Sequence, residues 1–223
     1  MNKPIKSTDR GDQTRSALIK AALAEFADKG FHAASTRLIA QSAQVNQALI
    51  GYHFGSKEGL YLAVFTHICE QVQRRIGPLA DQVEARLRLL DNGPEAREEC
   101  IALLLRLIEG LATMLTHPQS DPWAQLILHE QQVPTQAFEL LYEGYIGRFL
   151  HLLSELLRHI RPADAEEQRR LCVATILGQV LVFRAGHAAM LRLLGWEQVT
   201  PPRLEAIFRQ VRANVRALLN SQE

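Results

Sequence analysis

Cysteine is scarce in this chain. Cys69, Cys100 and Cys172 lie far apart among 223 residues, and no CxxC pair occurs. That excludes a disulfide framework and a zinc ribbon. Each cysteine has apolar neighbours, where a free thiol behaves as a small buried hydrophobe. No apolar run approaches the roughly 20 residues that span a bilayer. The first ten residues, Met1 to Arg10, hold no apolar core, so no signal peptide is expected. These absences point to a cytoplasmic chain with no membrane contact. Charge of one sign is not in excess either. Lys and Arg number 25 against 24 Asp and Glu, a net charge of +1. The composition as a whole therefore names no polyanionic partner.

Catalytic signatures are missing as well. There is no GxSxG, P-loop, GxGxxG or HExxH. His151, Glu155 and His159 share one helical face, but the two histidines stand too far apart to chelate one ion. No metal, no cofactor and no enzymatic activity are expected.

What the chain has is helical period. Hydrophobic residues make up 47% and charged residues 22%, the balance of a globular protein of one large or two small domains. The nine prolines and most of the 13 glycines fall between periodic segments or at their ends. No stretch alternates as a strand would. The expected fold is all-α, with nine to ten helices. A small three-helix unit, residues 1–56, precedes a larger helical bundle, residues 57–223. Charge divides the same way: residues 1–60 carry 8 basic and 5 acidic side chains, a net +3.

The first helix is expected from Gly11 to Lys29, with Gly30 ending it. Thr36 reads as the N-cap of a short helix that ends near Ala43. Gln44-Val45-Asn46 is a tight connection. Asn46 caps a second short helix, Gln47 to His53. Ser56 caps a long helix from Lys57 to Ile76, which Gly77-Pro78 weakens or kinks. Further helices are expected near 95–116, 120–131, 134–160, 164–195 and 201–220. Stops fall at Asp91-Asn92-Gly93-Pro94, His117-Pro118, Val133-Pro134, Arg161-Pro162, Gly195 and Pro201-Pro202.

Residues 36–58 are the informative segment. Two short helices joined by about three residues make a helix-turn-helix, whose second helix lies in the DNA major groove. The inner face is apolar: Ile39, Ala40, Ala43, Val45, Ile50 and Phe54. The outer face is polar or small: Arg37, Gln41, Gln47, Ala48, Gly51 and Tyr52.

This segment resembles the TetR family of transcriptional repressors. The family pattern runs roughly T-x-x-x-I-A-x-x-A-G-V-S-x-x-x-(I/L)-Y-x-H-F-x-S-K-E-x-L. The chain supplies Thr36, Ile39 one place early, Ala40, Ala43, Val45, Ile50, His53, Phe54, Ser56, Lys57, Glu58 and Leu60. Two positions depart. Gln44 stands where the turn glycine belongs, suggesting that the turn does not demand a positive φ there. Gly51 stands where a phosphate-contacting tyrosine belongs, with Tyr52 beside it as a substitute.

The resemblance implies a repressor that binds a palindromic double-stranded operator as a homodimer. Arg37 is the candidate for guanine O6/N7, and Gln47 for adenine or a bridging water. Ala48, Leu49 and Tyr52 are candidates for a thymine methyl. Thr36, Tyr52, His53 and Lys57 form the phosphate set. Gly51 permits close approach of the backbone. His53 could equally pack on the first helix.

The remainder resembles the C-terminal domain of the CecR branch of that family, on the segments 127–138, 177–186 and 193–196. The last helix repeats apolar residues at Leu204, Phe208, Val211, Val215 and Leu218, an a/d seam. The helix before it is apolar on two sides and adds Leu171, Phe183 and Met190. The resemblance places these residues in a four-helix dimer interface. A small-molecule effector of unknown identity is implied for the central helices. The lining candidates are His67, Met114, Trp123, Ile127, Glu130, Phe138, Tyr142, Gln179 and Arg184. Glu130 and Arg184 either pair with each other, or Arg184 holds an acidic effector. A second reading draws on Gln44 and Gly51: an all-α small-molecule-binding protein or enzyme with a degenerate DNA-binding head.

Overall fold

A computed structural model describes residues 7–90, 93–117 and 121–220. The stops expected at Asp91-Asn92 and at Pro118 lie outside the described residues. Among the described residues there is no strand. The helices are α1 (Ser7–Ala33), α2 (Thr36–Ser42), α3 (Ala48–Phe54), α4 (Lys57–Leu87), α5 (Pro94–Thr116), α6 (Asp121–Gln132), α7 (Gln136–Leu141), α8 (Gly147–Ile160), α9 (Glu166–Ala185), α10 (His187–Leu194) and α11 (Pro201–Asn220). A π-helical turn, Tyr142–Ile146, joins α7 to α8.

That is more helices than the periodicity suggests, for two reasons. The segment expected as one helix over 164–195 breaks at Gly186, and its two halves meet at 87°. The segment over 134–160 starts only after Thr135, whose hydroxyl accepts from the Ala137 N–H, and passes through the π turn. Conversely, α4 does not stop at Gly77-Pro78 and continues to Leu87. Pro78 withholds one N–H from the ladder without ending the helix. No single helix is long and apolar enough to cross a membrane.

The chain forms two compact units. The first comprises residues 1–71 and 121–144, the second 72–120 and 145–223. In the first, α1 buries Leu18, Ala22 and Phe26 at intervals of four, one stripe of a helix. Each large side chain of that stripe contributes about 1.5–3 kcal/mol by leaving water. Gly30 ends the regular helix at φ 73°, ψ 170°, a region open only to glycine. The chain thus turns Phe31 back onto the core. Phe26, Phe31 and Phe65 surround Tyr61, with ring centres 4.9–5.0 Å from it. Trp123, Ala124 and Leu126 of α6 and Ala137 and Leu141 of α7 are also buried.

The second unit has its own core. Ile101, Leu104, Leu107 and Ile108 of α5 pack with Leu152, Leu153, Leu156 and Leu157 of α8 and with Val173, Ile176 and Val180 of α9. From α11 the core takes Ile207, Val211, Val215 and Leu219, again every fourth residue. Arg97 closes two helix ends. Its Nε donates to the Ile160 carbonyl at 3.2 Å and its Nη2 to the Leu219 carbonyl at 2.9 Å. Those carbonyls belong to last turns, whose C=O groups find no N–H donor within their own helices.

Candidate functional site

The helix-turn-helix is built from α2 and α3, in the first unit. Ser35, not Thr36, caps α2: its Oγ accepts from the Leu38 N–H at 3.3 Å. Its own N–H donates to Glu25 Oε1 at 3.1 Å, fixing the entry to α2 against α1. The Thr36 hydroxyl is thereby released, and it accepts from Gln47 Nε2 at 3.0 Å. Asn46 performs the capping expected of it: its Oδ1 accepts from the Ala48 N–H at 2.8 Å.

The turn corrects one expectation. Gln44 has φ 56°, the left-handed conformation that glycine fills at little cost. The turn does demand positive φ, and this chain meets the demand with a side chain present. Gln44→Gly should therefore raise the unfolding free energy by about 1 kcal/mol. Urea denaturation followed by circular dichroism measures it, and a loss of stability would contradict the strain.

The two faces separate as the period requires. Ile39, Ala40 and Ile50 are buried against the core. Arg37, Gln47, Ala48, Gly51 and Tyr52 are exposed, while Thr36, Leu49 and His53 are half-buried. Tyr52 is 82% exposed, so its ring packs on almost nothing but His53, 5.0 Å away edge-on. Gly51 has open space around it. Sequence reasoning missed Leu38, which is 51% exposed next to Arg37. Its position beside Arg37 on a seven-residue helix was the available signal. Lys57 is less free than its place in the phosphate set implies. Its ammonium donates to the His32 carbonyl at 3.1 Å and lies 5.0 Å from the centre of the Phe31 ring. It ties the start of α4 to the end of α1.

Six of the nine effector candidates fall in the first unit: His67, Trp123, Ile127, Glu130, Phe138 and Tyr142. Met114, Gln179 and Arg184 fall in the second. Trp123 and Met114 are buried, and Tyr142 is exposed. The Phe138 and Tyr142 rings are tilted by 36° to each other, with centres 6.1 Å apart. His67 Nε2 meets Gln71 Nε2 at 3.2 Å. The buried Gln179 Oε1 has no hydrogen-bond partner among the described residues.

Glu130 does not fit the effector set. It is completely buried, and both of its oxygens are held. Tyr61 Oη donates to Oε1 at 2.9 Å, and the Thr135 N–H and hydroxyl donate to Oε2 at 3.0 and 2.8 Å. Its carboxylate is accounted for without Arg184. Burial, together with this hydrogen bond, pushes the Tyr61 hydroxyl far above its ordinary pKa. In the second unit a cleft of about 940 Å³ opens beside Arg97, Arg161, Gln168 and Leu171. None of the nine candidates lines it.

The dimer seam also needs correction. Val211 and Val215 are 3% and 0% exposed within one chain, so they face the subunit's own core and offer a second copy nothing. The physical reason is that α11 carries two adjacent apolar stripes, and the inner one runs through Ile207, Val211, Val215 and Leu219. Leu204, Phe208, Leu218, Phe183 and Met190 are half-buried, and Leu171 is 62% exposed.

Comparison with known proteins agrees with this geometry. Residues 18–64 match the family described as bacterial regulatory proteins, tetR family. Residues 100–221 match the C-terminal domain of the HTH-type transcriptional dual regulator CecR. The chain is 31% identical to the dual regulator CecR of Shigella flexneri, over 98% of this chain and 96% of that protein. It is 29% identical to the HTH-type transcriptional repressor NicS of Pseudomonas putida, over 62% of this chain and 54% of that one. Among solved structures, AibR in complex with isovaleryl coenzyme A and operator DNA superposes with a TM-score of 0.64 at 16% identity, covering 91% of this chain and 97% of AibR. The fatty acid degradation regulator FadR from Bacillus halodurans gives 0.57 at 18% identity, covering 93% of this chain and 99% of FadR. These two show the shared fold. A reading helix with its polar face outward, on a chain so matched end to end, belongs to the TetR family of bacterial transcriptional regulators.

Proposed function

We propose that this regulator is a cytoplasmic, homodimeric repressor that binds a palindromic operator and leaves it when a small molecule occupies residues 57–223. The observation that carries the reading is the outer face of α2 and α3. Arg37, Gln47, Ala48, Gly51 and Tyr52 are all exposed there, on elements whose inner face buries Ile39, Ala40 and Ile50. Arg37 offers guanine a bidentate fork, and Ala48, Leu49 and Tyr52 offer apolar contact to thymine. Thr36, Tyr52 and His53 remain the phosphate set, with Lys57 in a lesser part. The degenerate-head alternative loses one of its two supports, because Gln44 adopts the backbone conformation of the turn. No catalytic role is assigned.

A dimer supplies the second half-site that a seven-residue reading helix needs. Leu171, Phe183, Met190, Leu204, Phe208 and Leu218 are the proposed contact set. Gln179 and Arg184 are the polar groups we favour for the effector. An effector acts only through different affinities for the reading and non-reading states. Moving the protein from mostly bound to mostly free takes about 10⁴-fold, or roughly 5.5 kcal/mol.

The test is fluorescence anisotropy against tiled duplexes from DNA flanking the gene, with a random duplex as control. One tile should bind far more tightly than the control. Equal, weak binding to every tile would remove the regulator reading. On the operator, Arg37→Ala should cut discrimination at one base pair per half-site about tenfold or more. Uniform weakening across all sequences would instead make Arg37 a backbone contact.

A further inference from the structure

The hydrogen bond between Gln47 and Thr36 joins the head of the reading helix to the helix before it. Ser35 takes over the capping of α2, so the Thr36 hydroxyl is not needed there. It accepts instead from Gln47 Nε2 at 3.0 Å, across eleven residues of sequence. Gln47 sits at the N-terminal edge of α3 with its backbone already helical, at φ −56° and ψ −32°. Both ends of its side chain are thus fixed, the backbone by the helix and the amide by the hydroxyl. A free glutamine side chain loses rotamer freedom when it is ordered. Here that ordering precedes DNA binding.

The inventory of the amide decides what is left to read with. Its nitrogen has two N–H donors, and its oxygen accepts. Thr36 consumes one donor. When Thr36 takes the N–H turned away from the amide oxygen, the other N–H and the carbonyl oxygen are left side by side at one end of a planar group. That pair complements a base edge presenting one acceptor and one donor, which in the major groove is adenine through N7 and N6. Guanine presents two acceptors, so the amide oxygen would face one of them.

We propose that Thr36 is a positioning residue for base reading: its hydroxyl fixes the Gln47 amide in the orientation that selects adenine. The inference rests on the DNA-binding reading above and refines it. It gives Thr36 a role apart from the phosphate contact that the family resemblance implies. The two roles are compatible, because the hydroxyl keeps its own proton to donate to a phosphate oxygen. They differ in what they control. A phosphate contact holds every sequence alike, whereas the strap acts at one base pair.

The experiment compares full-length wild type, Thr36→Val, Thr36→Ser, Gln47→Ala and the Thr36→Val/Gln47→Ala double variant. Operator duplexes come from selection on a randomised duplex library with the wild-type protein. Each protein is titrated against the selected operator and against operators substituted symmetrically at single base pairs. Gln47→Ala should lose discrimination at one A·T pair per half-site. Thr36→Val, nearly the same shape without the hydrogen bond, should lose about tenfold in discrimination at that same pair. Thr36→Ser should restore it, and the double variant should lose no more discrimination than Gln47→Ala alone.

Any one of several results would overturn the proposal. Discrimination by Thr36→Val equal to wild type at the Gln47 pair, or equal weakening on all duplexes, leaves Thr36 a spectator or a phosphate ligand only. A preference for a base other than adenine at the pair found through Gln47→Ala, or no such pair, removes the adenine assignment. If wild type selects no sequence at all, the DNA-reading role fails first, and the strap falls with it. Thermal melts of each variant separate these outcomes from misfolding, and the serine variant keeps the test valid if the valine variant is unstable.

Discussion

Glu130→Ala is expected to lower the unfolding free energy by about 3 kcal/mol or more. The substitution strips acceptors from three donors at once, the buried Tyr61 Oη and the N–H and hydroxyl of Thr135, whose bonds to Glu130 are partly buried. It also leaves a cavity in a region with no solvent access. Tyr61→Phe keeps the ring among Phe26, Phe31 and Phe65 and removes only the hydroxyl. Its cost should be smaller, about 1–2 kcal/mol. Combining the two should cost less than their sum, because the second change removes a partner already orphaned by the first. Urea titration with tryptophan fluorescence measures all three. A Glu130→Ala protein within 1 kcal/mol of wild type would show that the network is expendable.

Gly59→Ala should be nearly as damaging, for a different reason. Gly59 lies in the first turn of α4, and a Cβ there would enter the envelope of the Phe54 carbonyl oxygen at the end of α3. The obstacle is backbone, so no side-chain rotation relieves it. Either the start of α4 or the end of α3 must move. Overpacking of this kind costs about 1–3 kcal/mol. It also displaces the helix that reads DNA, so operator affinity should fall at least tenfold while the second unit keeps its helix content. Gly51→Ala is the contrast. A Cβ there meets open space, and the fold should gain about 0.5–1 kcal/mol of helix preference. Equal stability of the two alanine variants would refute the close-approach argument at Gly59.

Much of the reading head is legible in the sequence because local rules act there. Helix spacing placed Ile39, Ala40 and Ile50 inward, and two short helices joined by Gln44-Val45-Asn46, with Asn46 and Ser56 as caps on either side of the second, located the motif. The errors have physical causes. Ser35 and Thr36 are both good caps by residue type, and contacts of the folded chain separate them: the Ser35 N–H is held by Glu25, ten positions back, and the Thr36 hydroxyl by Gln47, eleven positions on. Gln44 gives no hint of positive φ, because glutamine is not a residue that favours it. In α11 two apolar stripes lie side by side, and a seven-residue repeat and a four-residue spacing share Val211 and Val215. Gly186 sits in a window as apolar as a continuous helix, so the bend after α9 leaves no trace in composition. Glu130 and Tyr61 are 69 residues apart, and their contact exists only once α6 has packed in the first unit. Contacts of that kind follow from the fold and are not visible before it.

The shortage of tryptophan has a use. Of the two in the chain, Trp123 is buried in the first unit, and Trp196 is half-covered in the second, with the Arg203 guanidinium 5.3 Å from its ring centre. The molecule therefore carries one built-in optical label per unit, in two different environments. Emission from Trp123 reports the unit that reads DNA, and emission from Trp196 reports the other. Replacing either ring with phenylalanine leaves a protein that signals from a single half, with no dye attached, and the order in which the halves loosen becomes a matter of colour.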